Sequence, residues 1–407
     1  MFCLHAGAQA LEPFALHSVF TGAGRDKQAL ALFDRQALAG RSLGQGAHAF
    51  QHQQGGEGGF SADILEIPFL FFRKKTHKVH EGGFLTMAQF IRLKPVFKET
   101  IWGGSALAQR GFDIPGDHTG EAWVTSAHPN GDCEIAAGEY QGKTLSWLWN
   151  EHQELFGNIG GDRFPLLVKV IHAKQDLSIQ VHPDNRYARR HENGSLGKAE
   201  CWYILDCEPG ADIIVGHSAS SDEALCEEID HGEWNKLLHP RPIHPGDFFY
   251  IAPGTVHAIR AGTVLLEVQQ SSDITYRLYD YDRLQNGKPR ALHIQQSKDV
   301  IQSPYEAPTL TQKSRCTPDY DWEELVRSPY FTLSHVRVYD HYEFWMDEPF
   351  AIVNVLSGSG TINGEPIRQG ESLILPFGTG KVSVEGRFSF AEEAACPAMP
   401  LPMYRFP

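Results

Sequence analysis

The sequence predicts a mainly β protein with two sandwich or barrel units and a helical portion inserted in the first. Short apolar runs such as 263–269 and 273–279 are separated by Gly and Pro residues. This pattern is typical of β-sandwiches and barrels. There is also a weak internal repeat, because residues 246–253 (G-D-F-F-Y-I-A-P) resemble residues 370–376 (G-E-S-L-I-L-P). The repeat indicates two related units.

The individual elements follow from the periodicity of the apolar residues. Strands are predicted at 90–97, 122–126, 164–171, 178–182, 201–205 and 245–254. Residues 144–156 carry apolar side chains three or four positions apart, which predicts a helix capped by Thr144. A second helix is predicted over 222–238, with a weak point at Gly232. Residues 299–322 contain three prolines and are predicted to connect the two units.

Composition limits the classes of function. The chain has 407 residues, 42% hydrophobic residues and a net charge of −14, so it has enough apolar residues for a packed core. The negative charge argues against nucleic acid or an anionic membrane as partner, and an anionic substrate would need a local positive pocket. Seven cysteines without a C-x-x-C pair favour reduced thiols in a cytoplasm. No apolar run reaches the roughly 20 residues of a membrane span.

The first 86 residues differ from the rest. They are rich in Gly, Ala, Gln and His, and have weak apolar periodicity. We predict that residues 1–86 form a poorly ordered extension without a role in catalysis. Glu81-Gly82-Gly83 precedes Met87 at the distance of a purine-rich ribosome-binding sequence read in frame, so we expect the native start at Met87.

Four residues form a candidate metal site. Gln180 and His182 are two residues apart in an apolar run, so both side chains leave the same face of a strand. Glu200 begins the next apolar run, and His257 lies in P-G-T-V-H-A-I. Two imidazoles, a carboxylate and an amide oxygen suit a divalent transition metal, most plausibly zinc. The alternative is that each histidine is an ordinary core or surface residue, because the chain has 20 of them.

The order of these segments carries a family resemblance. Q-V-H-P-D, G-K-A-E-C-W-Y and P-G-T-V-H-A-I resemble the type I phosphomannose isomerases, as do K-E-T-I-W-G-G (98–104) and S-S-D-I-T-Y-R-L-Y-D (271–280). The resemblance implies a cupin-type jelly roll and one Zn²⁺ per chain. It also implies interconversion of D-mannose 6-phosphate and D-fructose 6-phosphate, with a small sugar phosphate as partner. Residues 87–315 would form the catalytic domain and residues 316–407 a metal-free cupin-like domain, since the second repeat has no counterpart of His257.

Three further residues are assigned roles. The resemblance marks Arg277 as catalytic, and because a guanidinium stays protonated we expect it to stabilise charge and orient the sugar oxygens or the phosphate. The alternative is an ion pair with Asp280 or Asp282. Lys198, two residues from Glu200, is a candidate for proton transfer or phosphate binding, or is a surface lysine. Glu267 lies among apolar residues, so we expect a raised pKa and a role as general base, for which a metal-bound water is the alternative.

Two other functional classes fit part of the pattern. Two histidines and a carboxylate also suit an iron-dependent cupin oxygenase. A sugar-sensing or storage cupin would keep the fold without the chemistry, although it would not need all of the candidate residues. The sequence leaves the oligomeric state undetermined.

Overall fold

The structure is a computed structural model that describes residues 90–396. The predictions for residues 1–86 and for the last residues of the chain lie outside this range. Strands dominate the described part, so the prediction of a mainly β protein is confirmed. No helix in residues 90–396 is long and apolar enough to span a membrane.

The strands are β1 (Ile91–Lys94), β2 (Val96–Gly104), β3 (Thr119–Thr125), β4 (Ala127–His128), β5 (Gly131–Asp132), β6 (Glu134–Ile135), β7 (Leu166–Ala173), β8 (Ile179–Val181), β9 (Glu200–Cys207), β10 (Asp212–Val215), β11 (Pro240–Pro242), β12 (Phe248–Ile251), β13 (His257–Ile259), β14 (Thr263–Gln270), β15 (Tyr276–Tyr279), β16 (Leu284–Gln285), β17 (Lys288–Pro289), β18 (Lys313–Cys316), β19 (Tyr320–Arg327), β20 (Phe331–Val338), β21 (His341–Trp345), β22 (Ala351–Ile362), β23 (Glu365–Arg368), β24 (Ser372–Leu375) and β25 (Lys381–Ala395). The helices are α1 (Leu145–Glu151), α2 (Asn185–His191), α3 (Asp222–His231), α4 (Trp234–Leu237) and α5 (Ile294–Val300), with 3₁₀ turns at Ala106–Arg110 and Gln153–Phe156.

Two antiparallel sheets form the first unit. One has the order β12-β9-β14-β7-β3-β2, and the other has the order β11-β10-β13-β8-β15. Apolar side chains of both sheets, such as Ile171, Trp202 and Ile213, belong to one buried cluster. The two sheets therefore pack face to face as a sandwich.

A third, ten-stranded sheet contains all the strands after residue 312 and also β1 and β6. β1 pairs with β24, so the start of the described chain completes the C-terminal sheet. The single strand predicted over 90–97 is instead two strands in different sheets, interrupted at Pro95. Proline has no N–H to donate to a ladder, which explains the break. The predicted boundary between residues 315 and 316 stays a prediction.

The helical predictions are largely confirmed. Thr144 caps α1, and its side chain accepts a hydrogen bond from the backbone N–H of Trp147. The helix predicted over 222–238 is broken into α3 and α4 at Gly232, which has a φ of 67°. Only glycine adopts this left-handed conformation without steric cost, so the weak point became the end of a helix. Both helices pack on the five-stranded sheet through one buried apolar cluster.

Helices α2 and α5 were not predicted. In α2, the Asp184 side chain accepts a hydrogen bond from the N–H of Tyr187, which caps a helix that starts just after the metal-site strand. The segment N-R-Y-A-R-R-H has too few apolar residues for a periodicity argument. The sequence signal that could have predicted this helix was Asp184, a typical N-cap residue.

The W-G-G motif at residues 102–104 is explained by packing. A Cβ on Gly103 would collide with the backbone of His118 and Gly120, and a Cβ on Gly104 would collide with the ring of His172. β2 passes so close to its neighbours that only glycine fits. The motif therefore has a structural role, because it allows β2 to pack closely in the sandwich.

Candidate metal centre

The site residues come from both sheets of the first unit. Gln180 lies on β8 directly opposite His257 on β13, and His182 follows the end of β8. Glu200 is the first residue of β9 in the facing sheet. The sandwich thus brings together side chains that are far apart in sequence, as the metal hypothesis requires.

The ligand atoms converge. Nε2 of His182 and Nε2 of His257 lie 3.2 Å apart. Glu200 places Oε2 at 3.5 Å from Nε2 of His182 and Oε1 at 3.4 Å from Nε2 of His257. One ion at the centre of these atoms would meet all three residues after small side-chain adjustments, since Zn bonds are about 2.0–2.3 Å. Among residues 90–396, this is the single group of three or more His, Cys, Asp or Glu side chains arranged to hold a metal.

Backbone carbonyls orient both imidazoles. Nδ1 of His182 lies 2.7 Å from the carbonyl oxygen of Ile274, and Nδ1 of His257 lies 2.9 Å from that of Thr255. Each carbonyl accepts a hydrogen bond from Nδ1–H, which leaves the lone pair of Nε2 directed at the centre. Metal-binding histidines commonly have this arrangement.

The electrostatics of the three ligands favour a positive charge at their centre. His182, His257 and Glu200 are fully buried. Burial raises the pKa of the Glu200 carboxyl to about 7, although Lys198 opposes the rise. Burial also lowers the pKa of His257 to about 4 and lowers that of His182 well below its ordinary value. Oε1 of Glu200 accepts no hydrogen bond, so this buried acceptor has no partner except the site itself.

Gln180 reaches the cluster through its amide. Its Nε2 lies 3.2 Å from Nε2 of His257, while its Oε1 accepts a hydrogen bond from the Ser178 hydroxyl at 3.2 Å. A half-turn of the amide would exchange the two atoms and present the oxygen to the centre. Gln180 as a fourth ligand stays a prediction.

Lys198 is a buried neighbour of the ligands. Its Nζ lies 2.6 Å from Oε2 of Glu200 and 3.2 Å from Nε2 of His182. The alternative of a solvated surface lysine is therefore wrong. The charged group lies next to the atoms that would hold the metal.

Arg277 has no acidic partner among the described residues, and its buried Nε has no hydrogen-bond acceptor. It lies opposite Gln180 on the neighbouring strand β15. Asp280, the partner expected from the sequence, instead binds Arg283 at 2.6 Å and Arg290 at 2.5 Å. The alternative of an Arg277–Asp280 ion pair is therefore wrong, and the guanidinium remains available for a ligand.

The expected rise in the pKa of Glu267 is wrong. Burial alone would raise this pKa, but Lys169 and Lys198 outweigh burial and lower it to about 2. Lys169 Nζ lies 3.0 Å from Oε2, and the indole N–H of Trp202 donates to Oε1 at 3.2 Å. The sequence showed an acid in an apolar strand but not the lysine placed opposite it by the β14–β7 register.

A polar cavity of about 200 Å³ adjoins the cluster. Gln180, Lys198, Glu267 and Arg277 all line it. Sequence reasoning missed several other polar residues of its wall, namely Glu121, Lys169, Asp273, Gln285 and Arg290. Lys169 had a usable signal, because a lysine inside the apolar run F-P-L-L-V-K-V-I needs a buried partner. The cavity wall holds four cationic side chains (Lys169, Lys198, Arg277 and Arg290) and four carboxylates (Glu99, Glu121, Glu267 and Asp273), so its charge is mixed rather than uniformly positive.

Two family profiles match the chain. The profile described as phosphomannose isomerase type I, catalytic domain, matches residues 90–206. The profile described as mannose-6-phosphate isomerase, cupin domain, matches residues 322–393. The second match confirms the cupin-type architecture predicted for the C-terminal unit.

Similar proteins come from two bacteria. Mannose-6-phosphate isomerase ManA of Bacillus subtilis (strain 168) is 47% identical over 298 residues, which cover 72% of this chain and 95% of the relative. A mannose-6-phosphate isomerase of Streptococcus mutans is 44% identical over 302 residues, covering 71% and 93% of the two chains. The crystal structure of mannose 6-phosphate isomerase from Bacillus subtilis matches with a TM-score of 0.73 and 44% identity, over 75% of this chain and 99% of that one.

Proposed function

Because this chain belongs to the type I phosphomannose isomerase family, we propose that it interconverts D-mannose 6-phosphate and D-fructose 6-phosphate with the help of one bound zinc ion. The observation that carries the proposal is the convergence of two Nε2 lone pairs and an unsatisfied buried carboxylate beside a polar cavity. His182, Glu200 and His257 would hold the ion, with Gln180 as the fourth ligand.

The reaction moves a proton between C2 and C1 of the open-chain sugar. The difficulty is the low acidity of a carbon next to a carbonyl. A bound zinc would polarise the sugar oxygens and offset the negative charge that develops on them. The protein residues around it orient the sugar and hold protons at defined positions.

We assign Lys198 to the C1–C2 end of the substrate. Its Nζ lies among the ligand atoms, 2.6 Å from Glu200. The phosphate is attached to C6, at the opposite end of the sugar chain, so Lys198 is poorly placed to bind it. Its ammonium can donate a hydrogen bond to the oxygen that gains negative charge, which supports a role in proton transfer.

Arg277 supplies a planar set of donors one strand away from Gln180. Because no described carboxylate lies within ion-pair distance of it and its Nε has no acceptor, its donors are available for the sugar oxygens or the phosphate. Burial, with Arg290 nearby, lowers the pKa of Arg277, yet a guanidinium remains protonated near neutral pH. We therefore assign it charge stabilisation and orientation.

The low pKa of Glu267 argues against the general-base role expected from the sequence. An acid with a pKa of about 2 is a weak acceptor of a carbon-bound proton. We propose instead that Glu267 fixes Lys169, its neighbour at 3.0 Å, in the cavity wall.

We place the reaction in a reducing compartment, the cytoplasm. The six described cysteines are all free thiols, which supports this placement. The substrate is a small sugar phosphate.

A coupled isomerase assay combined with metal analysis tests the proposal. We expect one zinc per chain, loss of at least about 100-fold in activity after chelation, and recovery when zinc is restored. His182→Ala should lose the metal, whereas His244→Ala, which replaces an imidazole whose side chain is 80% exposed, should keep both metal and activity. Activity that survives complete metal removal would contradict the zinc role. Bound iron with oxygen consumption would instead indicate a cupin oxygenase, and absence of turnover in the zinc-loaded protein would indicate a binding cupin.

A further inference from the structure

The hairpin β16–β17 stands apart from the three main sheets. Its two strands pair with each other in a separate two-stranded sheet. Asn286 and Gly287 form its turn, with φ values of 55° and 76°, as a two-residue hairpin loop requires. The sequence thus specifies the hairpin locally through Asn-Gly.

The hairpin buries almost none of its own side chains. All residues from Leu284 to Pro289 are exposed, and Leu284 is 60% exposed. An isolated two-stranded hairpin is marginally stable in water. A segment that is kept folded without contributing to the core points to a role outside the core.

The base of the hairpin is firmly held. Asp280 binds Arg283 and Arg290, one on each side of the hairpin, at 2.6 Å and 2.5 Å. Tyr281 and Asp282 adopt positive φ values of 55° and 53° in the turn that leads into it. Non-glycine residues in this conformation persist where surrounding contacts fix them, and such residues cluster at functional sites.

The held base directs one residue to the mouth of the metal-site cavity. Gln285 lines the same cavity as Lys198 and Arg277, yet it is itself exposed. Leu284, the preceding strand residue, does not line the cavity, which agrees with the alternation of side chains along a strand. Gln285 is thus the residue of strands β16 and β17 that lines the cavity.

We infer that the hairpin is a cap over the active-site cavity and that Gln285 is a positioning residue, which donates a hydrogen bond to an oxygen of the bound sugar phosphate. This inference rests on the proposed function and deepens it. The ligand fills the gap between the cavity wall and the hairpin, so it supplies the packing that the hairpin lacks. Ligand binding therefore orders the hairpin and shields the reacting carbons from water.

Steady-state kinetics of the zinc-loaded enzyme test Gln285. Gln285→Ala should raise KM for mannose 6-phosphate about tenfold and change kcat less than about twofold, as expected for a binding contact that does not change during reaction. Gln285→Glu keeps the shape but removes the donors and adds a negative charge, so its KM should rise further. Leu284→Ser, on the opposite face of the strand, is the matched control and should leave KM unchanged.

Amide hydrogen exchange of the wild-type protein tests the cap. Saturating mannose 6-phosphate, or inorganic phosphate as a minimal probe, should slow exchange in residues 284–288 and leave the turn at residues 363–364, which does not line the cavity, unaffected. The inference is overturned if KM is unchanged in Gln285→Ala, or if neither ligand changes the exchange rates of the hairpin amides. If the wild-type protein fails to isomerise the sugar, the proposed function fails, and the exchange experiment with phosphate still decides on the cap.

Discussion

Removing the charge of Lys169 should separate the stability of the cavity wall from its chemistry. Lys169 and Glu267 face each other across β7 and β14 at 3.0 Å, with side chains only 5% and 4% exposed. Lys169→Met would leave the Glu267 carboxylate buried without its cation. Breaking a buried pair from one side typically costs about 3–5 kcal/mol, so we expect a loss of that size in the free energy of unfolding.

The double replacement Lys169→Met with Glu267→Leu should recover most of that loss. Replacing a buried ion pair with two apolar side chains of similar volume is often neutral or favourable for stability. Part of the loss should remain, because the indole N–H of Trp202 then lacks its acceptor, at a cost of about 1–3 kcal/mol. Both variants should nevertheless lose isomerase activity, since Lys169 and Glu267 both line the cavity.

Urea unfolding followed by tryptophan fluorescence would measure these free energies, with isomerase rates measured on the same preparations. Lys381→Met is the matched control, because Lys381 pairs with Glu343 at 2.7 Å and the two side chains are 51% and 41% exposed. An ion pair that is exposed on both sides contributes little to stability. The reasoning would be refuted if Lys169→Met were no more destabilising than this control, or if the double variant lost as much stability as Lys169→Met.

Three further predictions concern other parts of the molecule. Arg277→Lys keeps the charge but loses the planar donors, so kcat should fall about 100-fold with unchanged zinc content; near-normal turnover would disprove its role. Burial raises the pKa of the Glu393 carboxyl from 4.5 to about 8 despite the amide of Asn354, so between these pH values the folded protein keeps a proton that the unfolded chain has released. The free energy of unfolding should therefore fall by up to roughly 5 kcal/mol as the pH rises through that range. If the free energy of unfolding has the same pH dependence in wild type and Glu393→Gln, this prediction is wrong. Gly103→Ala should lower the melting temperature because its Cβ meets the backbone of His118, and an unchanged melting temperature would show that β2 can move aside.

Features that depend on a few neighbouring residues were predictable. Thr144 caps a helix because its side chain and the N–H it binds are three residues apart. Gly232 ends a helix because its backbone freedom belongs to the residue itself. Gln180 and His182 reach the same centre because side chains alternate along any strand. These arguments need only local geometry.

Other features depended on which distant strand lies alongside. Glu267 looked like an acid with a raised pKa until the β14–β7 register placed Lys169 opposite it. Arg277 seemed able to pair with Asp280, but the turn after β15 gives that carboxylate to Arg283 and Arg290. In both cases charged neighbours placed by the tertiary structure reversed the electrostatic expectation.

The sequence by itself determined the class of fold, the helix ends and the set of residues able to hold a metal, since these follow from side-chain chemistry and short-range periodicity. Only the tertiary structure decided the charge state of Glu267, the availability of Arg277 and the position of Gln285 at the cavity mouth. The physical reason is that the energy between two charges depends on their separation and on how much water lies around them. Both quantities are set when the sheets pack together.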